Sequence, residues 1–180
     1  MVQTNKLIFS KSISFNSHIN IITTKTKVFI KGPLGVLLLE LPKGLFFQKV
    51  NSTLNIFSSI ENKIIVLTYF KIVLQKIKGV EIGFFEILLI NGVGWRVSLN
   101  KNILTFFLGF SHFVKYTIRP KVEITVLDKQ KFKIFGLDLG DVQQTVSDLY
   151  LLRAYDTYKG KGIQKQDHIQ KLKLSSKFKS

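Results

Sequence analysis

Cysteine is absent from this chain of 180 residues, and acidic side chains are scarce, with 11 Asp and Glu against 27 Lys and Arg. Without cysteine the chain has no disulfide framework, no thiolate metal site and no cysteine nucleophile. The three histidines, His18, His112 and His168, stand far apart in the sequence, which argues against a histidine-built metal site. We therefore predict no metal site and no cofactor.

Long uncharged apolar runs are also missing, although the mean hydropathy is +0.20. The most apolar region, residues 64–90, is interrupted by charged side chains at Lys71, Lys76, Lys78, Glu81 and Glu86. A membrane-spanning helix needs about 18 consecutive apolar residues, so the sequence predicts no such helix. A hydrophobic content of 46% is enough to build a core and argues against a disordered chain.

The formal net charge is +16, and it is spread along the whole chain. Residues 1–80 contain eleven Lys and two acidic residues, net +9, and residues 81–180 contain sixteen Lys and Arg and nine acidic residues, net +7. A folded protein with this much self-repulsion is expected to bind a polyanion. Nucleic acid is the commonest polyanion in cells. Anionic lipid is the alternative.

Arginine, proline and alanine are rare, with three Arg, three Pro and one Ala, whereas there are 24 Lys, 21 Ile, 16 Phe and 9 Asn. The common residues have A/T-rich codons, which indicates an A/T-biased genome. Residues 1–39 contain five Lys but no Arg, and a strand-like pattern begins near Ile13, so they resemble a transit peptide only loosely. We predict an organelle-encoded mitochondrial protein. A plastid or an A/T-rich bacterium is the alternative source, and a short cleaved presequence remains an alternative.

The first half of the chain reads as β structure followed by one helix. Two apolar runs around a Gly-Pro-Leu-Gly turn at residues 32–35 predict a hairpin, and residues 46–57 predict a further strand pair. A capping-box pattern at residues 58–61 predicts the start of a helix that continues to Gly79. Its apolar positions are Ile64, Leu67, Tyr69, Ile72, Val73 and Ile77.

The second half repeats this plan. Alternating or continuous apolar runs predict strands at residues 84–90, 95–99 and 103–110, and a hairpin turns at residues 128–130. Residues 138–153 predict a helix, because Val142, Val146 and Leu149 fall on one face.

The two halves therefore suggest an internal duplication, in which residues 30–35 and 90–94 occupy equivalent places. We predict an α+β fold of two duplicated small domains, each an antiparallel sheet with one packed helix. The predicted boundaries are residues 1–80 for the first domain, 81–165 for the second and 166–180 for a basic C-terminal tail.

Motifs of known chemistry are incomplete. Gly92 and Gly94 lack the third glycine of a dinucleotide site and read instead as a structural hairpin turn. Gly160, Lys161 and Gly162 lack the Ser or Thr of a phosphate loop. Ser111 and His112 do not read as a nucleophile and its base, because they are adjacent and adjacent strand residues would point to opposite faces. We predict no catalytic residue and no enzymatic activity.

The basic segment from Arg153 to Ser180 contains the strongest binding signal, and Arg153 is included among its candidate nucleic-acid-binding residues. In the run Tyr158, Lys159, Gly160, Lys161 and Gly162, glycines would let the backbone approach a sugar-phosphate chain, lysines would reach phosphates, and the tyrosine would stack on a base. A lysine run alone more often marks a solvated tail. We also expect Lys165, Lys171 and Lys173 to extend this contact electrostatically.

Five short motifs stand in a recognisable order and spacing: residues 79–84, 92–96, 108–112, 136–138 and 158–163. Together, and above all through LGFSH and YKGKGI, they resemble the bacterial-type family of the sixth large-subunit ribosomal protein, over about residues 13–165. The resemblance implies a two-domain duplicated fold and binding of large-subunit rRNA near the sarcin-ricin loop and stalk base. It implies neighbouring large-subunit proteins as partners and translation factors close by. It assigns rRNA contact to residues 158–162.

Several positions depart from the family pattern: Leu139, Gly140, Tyr150 and residues 155–157. At these positions the RNA contacts that the resemblance implies for the second helix are not carried over to this chain. The alternative function, a peripheral protein on anionic membranes, would need a helix with exposed apolar anchors beside lysines. The first predicted helix is the candidate, and its apolar face reads as core.

Overall fold

The computed structural model describes residues 9–58, 63–168 and 170–173. The chain divides into two compact units, the first ending at Gly83 and the second beginning at Phe84. We call them unit 1 and unit 2.

The described residues of unit 1 form six strands and one helix, and all of these strand pairs are antiparallel. The elements are β1 (Ser10–Ser14), β2 (Asn20–Thr23), β3 (Lys27–Lys31), β4 (Val36–Glu40), β5 (Leu45–Val50), β6 (Thr53–Ser58) and α1 (Lys63–Glu81). The strands form two sheets, in the orders β1-β6-β5 and β2-β3-β4.

Unit 2 repeats this arrangement and adds one strand after its helix. Its elements are β7 (Phe84–Asn91), β8 (Arg96–Asn100), β9 (Ile103–Phe107), β10 (Val114–Thr117), β11 (Val122–Asp128), β12 (Lys131–Gly136), α2 (Leu139–Leu152) and β13 (Gly162–Lys165). The sheets have the orders β10-β9-β8 and β11-β12-β7-β13. The added strand β13 pairs with β7, with Ile163 opposite Ile90.

The α+β fold with two duplicated sheet-and-helix units is confirmed. In both units the first strand pairs with the last strand before the helix, whose other neighbour is the strand just before it, and the second, third and fourth strands form a separate sheet. The predicted equivalence of residues 30–35 and 90–94 is wrong. Residues 32–35 join β3 to β4, whose counterparts are β9 and β10, whereas residues 92–94 join β7 to β8, whose counterparts are β1 and β2.

The helix α1 covers the core of unit 1 with a stripe formed by Val66, Val73, Ile77 and Val80, all buried. The stripe is rotated from the predicted one. Ile64 is 77% exposed and Leu67 39% exposed, so these two positions were wrongly predicted to be core. The predicted capping box that would start this helix lies largely outside the described residues. None of the described helices combines the length and apolar character that crossing a membrane would require.

The helix α2 has the predicted position and the predicted buried face. Asp138 is its N-cap, with the side chain accepting a hydrogen bond from the Gly140 N–H, and Val142, Val146 and Leu149 are buried. A carboxylate at the N-cap satisfies a backbone donor that has no partner within the helix. Two strand predictions need correction: β9 ends at Phe107 rather than 110, and β10 was not predicted.

A half-buried carboxylate on α2, Asp148, is expected to give unit 2 a pH-dependent stability. The Asp148 carboxylate accepts hydrogen bonds from Gln144 at 3.0 Å, Arg119 at 2.7 Å and the Tyr116 hydroxyl at 3.3 Å. The hydrogen bond from Gln144, joined by those from Arg119 and Tyr116, lowers the pKa of Asp148 from its ordinary value of 3.8. Since the folded-state pKa is the lower one, the resulting stability is present above the unfolded-state pKa and is lost as pH falls through the folded-state pKa.

We therefore expect the unfolding free energy of the natural protein to fall more steeply than that of Asp148→Asn between about pH 5 and pH 2. Urea unfolding at a series of pH values measures both slopes. Parallel curves for the two proteins would show that this carboxylate does not couple protonation to folding.

Candidate nucleic-acid interface

The basic segment after α2 forms a closed loop, residues 154–163, which we call the basic loop. At its base, Ala154 and Ile163 form an isolated parallel bridge. Asp156 and Lys161 form an antiparallel bridge, with the Asp156 N–H donating to the Lys161 carbonyl at 2.9 Å. The Gly160 N–H donates to the Asp156 carbonyl at 2.8 Å. Because these bonds involve the backbone, the loop holds its shape independently of its exposed side chains.

Asp156 organises the tip of the basic loop. Its Oδ1 accepts hydrogen bonds from the Tyr158 N–H at 2.9 Å and the Lys159 N–H at 3.3 Å. An aspartate that binds the backbone two residues later is a common turn-forming device. In the sequence, Asp156 stands out only as part of a departure from a family pattern, at residues 155–157. The sequence signal for this turn is that Asp156 stands two positions before Tyr158, the first residue of the run 158–162.

The glycines of the basic loop serve the packing of the chain itself. Gly162 is buried, with φ +142°, and a Cβ there would lie 2.3 Å from the Tyr155 Cα and 2.6 Å from the Ala154 carbonyl oxygen. Gly160 has φ +65°, and a Cβ there would lie 2.9 Å from the Leu172 side chain. The packing of unit 2 itself therefore requires a glycine at position 162, whereas the approach of the glycines to an external sugar-phosphate chain stays a prediction.

The side chains at the tip face solvent. Tyr158 is 65% exposed, and Lys159 and Lys161 are exposed. Within the described residues, no carboxylate forms an ion pair with either lysine. The loop therefore presents an aromatic ring beside two ammonium groups whose charges are not neutralised by the described part of the chain.

The segment that follows β13 returns to the basic loop. The Lys173 N–H donates to the Thr157 carbonyl at 3.0 Å, and the Gln170 N–H donates to Oε1 of the buried Gln164 at 3.4 Å. Lys171 and Lys173 are exposed. The structure thus brings these two predicted site lysines next to the loop, although they lie ten or more residues further along the chain.

Lys165 has polar partners within unit 2. Its ammonium group lies 3.0 Å from the Gln143 Oε1 and 4.0 Å from the Glu86 carboxylate. Lys165 is therefore half-buried beside partners on α2 and β7, whereas Lys171 and Lys173 are exposed.

Arg153 directly precedes the basic loop, and its side chain lies between two aromatic rings. Its guanidinium carbon is 5.2 Å from the Trp95 ring centroid and 4.5 Å from the Phe110 ring centroid. The Phe110 ring also stacks on His112, at 6.0 Å between centroids. Ser111 and His112 lie in a bend rather than in a strand, so the premise that their side chains alternate across a strand was wrong.

The turn at Gly92 and Gly94 supports Trp95. A Cβ at Gly92 would lie 2.3 Å from the Trp95 ring, and Gly94 has φ +75°. The Gln130 side-chain amide donates to the carbonyl oxygens of Gly92 and Trp95 at 3.0 and 3.3 Å. The turn is structural, but the hairpin prediction is wrong, because β7 and β8 belong to different sheets.

Other chemistry is not apparent at this surface. Within the described residues, no group of three or more His, Asp or Glu side chains is placed to hold a metal ion. The basic loop combines exposed cations with an exposed aromatic ring on a backbone held by hydrogen bonds. These are the features that bind a phosphate-bearing polymer.

Comparisons with known proteins point to one family. A family model described as ribosomal protein L6 matches residues 91–166, which include the turn at Gly92 and the basic loop. A large ribosomal subunit protein uL6 of Nitrosospira multiformis is 27% identical over 168 residues, covering 92% of this chain and 95% of the relative. The uL6c protein of Porphyra purpurea is 32% identical, covering 81% and 83%. The uL6 protein of Mycoplasmoides gallisepticum is 30% identical, covering 87% and 88%.

Proposed function

Because the chain belongs to the ribosomal protein L6 family, we propose that it is a structural constituent of the large ribosomal subunit that binds large-subunit rRNA through the basic loop. Membership of this family makes it a structural protein rather than an enzyme. The observation that supports the rRNA contact is that the chain returns to the basic loop at Lys173, so that the exposed Lys171 and Lys173 lie in the same region as the exposed residues Tyr158, Lys159 and Lys161.

The internal hydrogen bonds of the basic loop favour tight binding. A loop that is ordered before it meets its partner loses less conformational freedom on association. Lysine ammonium groups act as point charges toward phosphates, and each contact releases condensed counterions from the RNA. Tyr158 supplies a ring on which an unpaired base stacks. The loop therefore combines an electrostatic contact with a stacking contact.

We place the contact near the sarcin-ricin loop and the base of the stalk, where translation factors dock. In this position the protein supports the rRNA geometry beside the factors and contacts neighbouring large-subunit proteins. This finer location rests on the match of residues 158–162 to the family motif.

For the compartment, we propose a mitochondrial ribosome, with the protein encoded in the organelle. The support is the A/T-biased composition, with 24 Lys against three Arg. The relatives include bacterial and plastid proteins. Locating the coding sequence in an organellar or a nuclear genome tests this proposal directly.

The rRNA contact is tested by filter binding of the full chain to a transcript that contains the sarcin-ricin loop and its neighbouring helices. If about 5 phosphates are neutralised, log K falls with a slope near −4 per log unit of salt. A structured RNA of equal length from another source is the control and should bind more weakly. Affinity that does not change with salt, or that is equal for both RNAs, would contradict the proposal.

Family membership gives no support to the membrane alternative, although α1 exposes Ile64, Leu67 and Leu74 beside Lys71. Sedimentation with anionic vesicles after nuclease treatment addresses it in the same preparation. Protein that remains in the supernatant agrees with an RNA-binding role.

A further inference from the structure

Arg153 connects three segments of unit 2 that are distant in sequence. It is the C-cap of α2, and its carbonyl accepts a hydrogen bond from the Ile163 N–H at 2.8 Å, which closes the base of the basic loop. Its side chain lies against Trp95 and Phe110. One residue therefore joins the basic loop to the turn before β8 and to the segment after β9.

Trp95 is the fixed end of this arrangement. The ring is 8% exposed, and glycines at two separate turns leave room for it. A Cβ at Gly92 would lie 2.3 Å from the ring, and one at Gly109 would lie 2.8 Å from its Nε1. Phe110, at 40% exposure, closes the other side of the guanidinium group. The arginine is thus held between a buried ring and a half-exposed one.

We infer that Arg153 is a positioning residue, which aligns the basic loop through its stacking on Trp95 and Phe110, and is not itself a phosphate ligand. This inference rests on the proposed rRNA-binding function and changes the role that the sequence suggested for Arg153. A planar guanidinium fills the space between two rings, whereas a lysine ammonium is a compact, strongly hydrated charge that does not.

The two roles differ in what a lysine can replace. A residue that contacts phosphate as a positive charge is largely rescued by Arg153→Lys and impaired by Arg153→Gln. A residue that acts by planar stacking is impaired by both substitutions. We expect each variant to bind the sarcin-ricin transcript about fivefold to tenfold more weakly, because cation–π contacts on two rings are lost or reduced.

The free protein supplies two further measurements. Trp95 is the one tryptophan of the sequence, so its fluorescence reports the stack without interference. We expect a red-shifted emission in both variants, as water replaces the guanidinium over the indole. Hydrogen exchange should quicken at the Asp156 and Gly160 amides, whose hydrogen bonds hold the loop. Far-UV circular dichroism verifies that each variant remains folded.

Arg96→Lys is the matched control, since the Arg96 guanidinium lies 4.4 Å from the Phe107 ring and this substitution also keeps the charge. It should leave the exchange of the loop amides unchanged. Near-normal binding by Arg153→Lys, with weak binding and a shallower salt slope for Arg153→Gln, would overturn the inference in favour of direct phosphate contact. Unchanged fluorescence and exchange in both variants would also overturn it. Failure of the natural protein to bind the transcript refutes the proposed function instead, and the two free-protein measurements still decide the role of Arg153.

Discussion

Replacing Gly162 by alanine is expected to destabilise unit 2 by about 3 kcal/mol and to abolish high-affinity RNA binding. The added Cβ would lie 2.3 Å from the Tyr155 Cα, 2.6 Å from the Ala154 carbonyl oxygen and 2.7 Å from the Tyr155 nitrogen. All three are backbone atoms, so no side chain can rotate away to make room. The value of φ, +142°, is also one that residues with a Cβ rarely adopt.

Relief of this clash requires the chain at 154–155 to move away from β13. That movement breaks the bridge between Ala154 and Ile163 and separates the basic loop from the sheet. RNA binding is therefore lost together with stability, although no cation is removed. Equilibrium urea unfolding followed by Trp95 fluorescence measures the loss in unit 2, because the sole tryptophan lies there.

Gly140→Ala is the matched control for this substitution. Gly140 lies in the first turn of α2, and the one contact of an added Cβ would be the Asp138 Oδ1 at 3.6 Å, an ordinary distance. Alanine favours helix over glycine by up to about 1 kcal/mol, so we expect unchanged or slightly higher stability. Equal unfolding free energies for Gly162→Ala and the natural protein would show that the packing at the base of the loop is not tight.

Features determined by neighbouring residues could be predicted from the sequence. The hairpin of β3 and β4 follows from a turn motif between two apolar runs. The helix α2 follows from its N-cap Asp138 and its apolar spacing. The lysines at the tip of the basic loop are exposed, as expected for several closely spaced charges that would be costly to bury.

Features determined by contacts between distant residues could not be predicted. The pairing of β7 with both β12 and β13 depends on segments more than 40 residues apart, so the division of each unit into two sheets was invisible in the sequence. The helix α1 is apolar on more than one face, and periodicity alone did not select the buried stripe.

The site shows the same division. Lysines near the basic loop were identified by type, but which of them converge depends on the path of the chain. Lys173 returns to the loop through a backbone hydrogen bond to Thr157, whereas Lys165 turns toward Gln143. A list of basic residues in sequence cannot separate these two cases.

Replacing Lys159 and Lys161 together by alanine is expected to lower RNA affinity about 30-fold near physiological salt and to make the salt slope shallower by about 1.8. Each ammonium that neutralises one phosphate contributes about 0.9 to the slope. Its contribution to affinity follows from extending that slope from about 0.15 M to 1 M salt, which gives about fivefold for each lysine. Filter binding at four or more salt concentrations measures both quantities.

The stability of the double variant should stay within about 0.5 kcal/mol of the natural protein, because both side chains are exposed and form no ion pair with the described residues. This separates the double variant from Gly162→Ala, in which binding and stability fall together. Unfolding by urea under the binding conditions provides the comparison.

Lys25→Ala combined with Lys43→Ala is the control for net charge. Both lysines are exposed in unit 1, and this pair also lowers the formal charge from +16 by two. A general attraction between a basic protein and RNA would respond equally to either double variant. A contact made by the basic loop responds only to the loss of Lys159 and Lys161, so equal slopes for the two double variants would refute it.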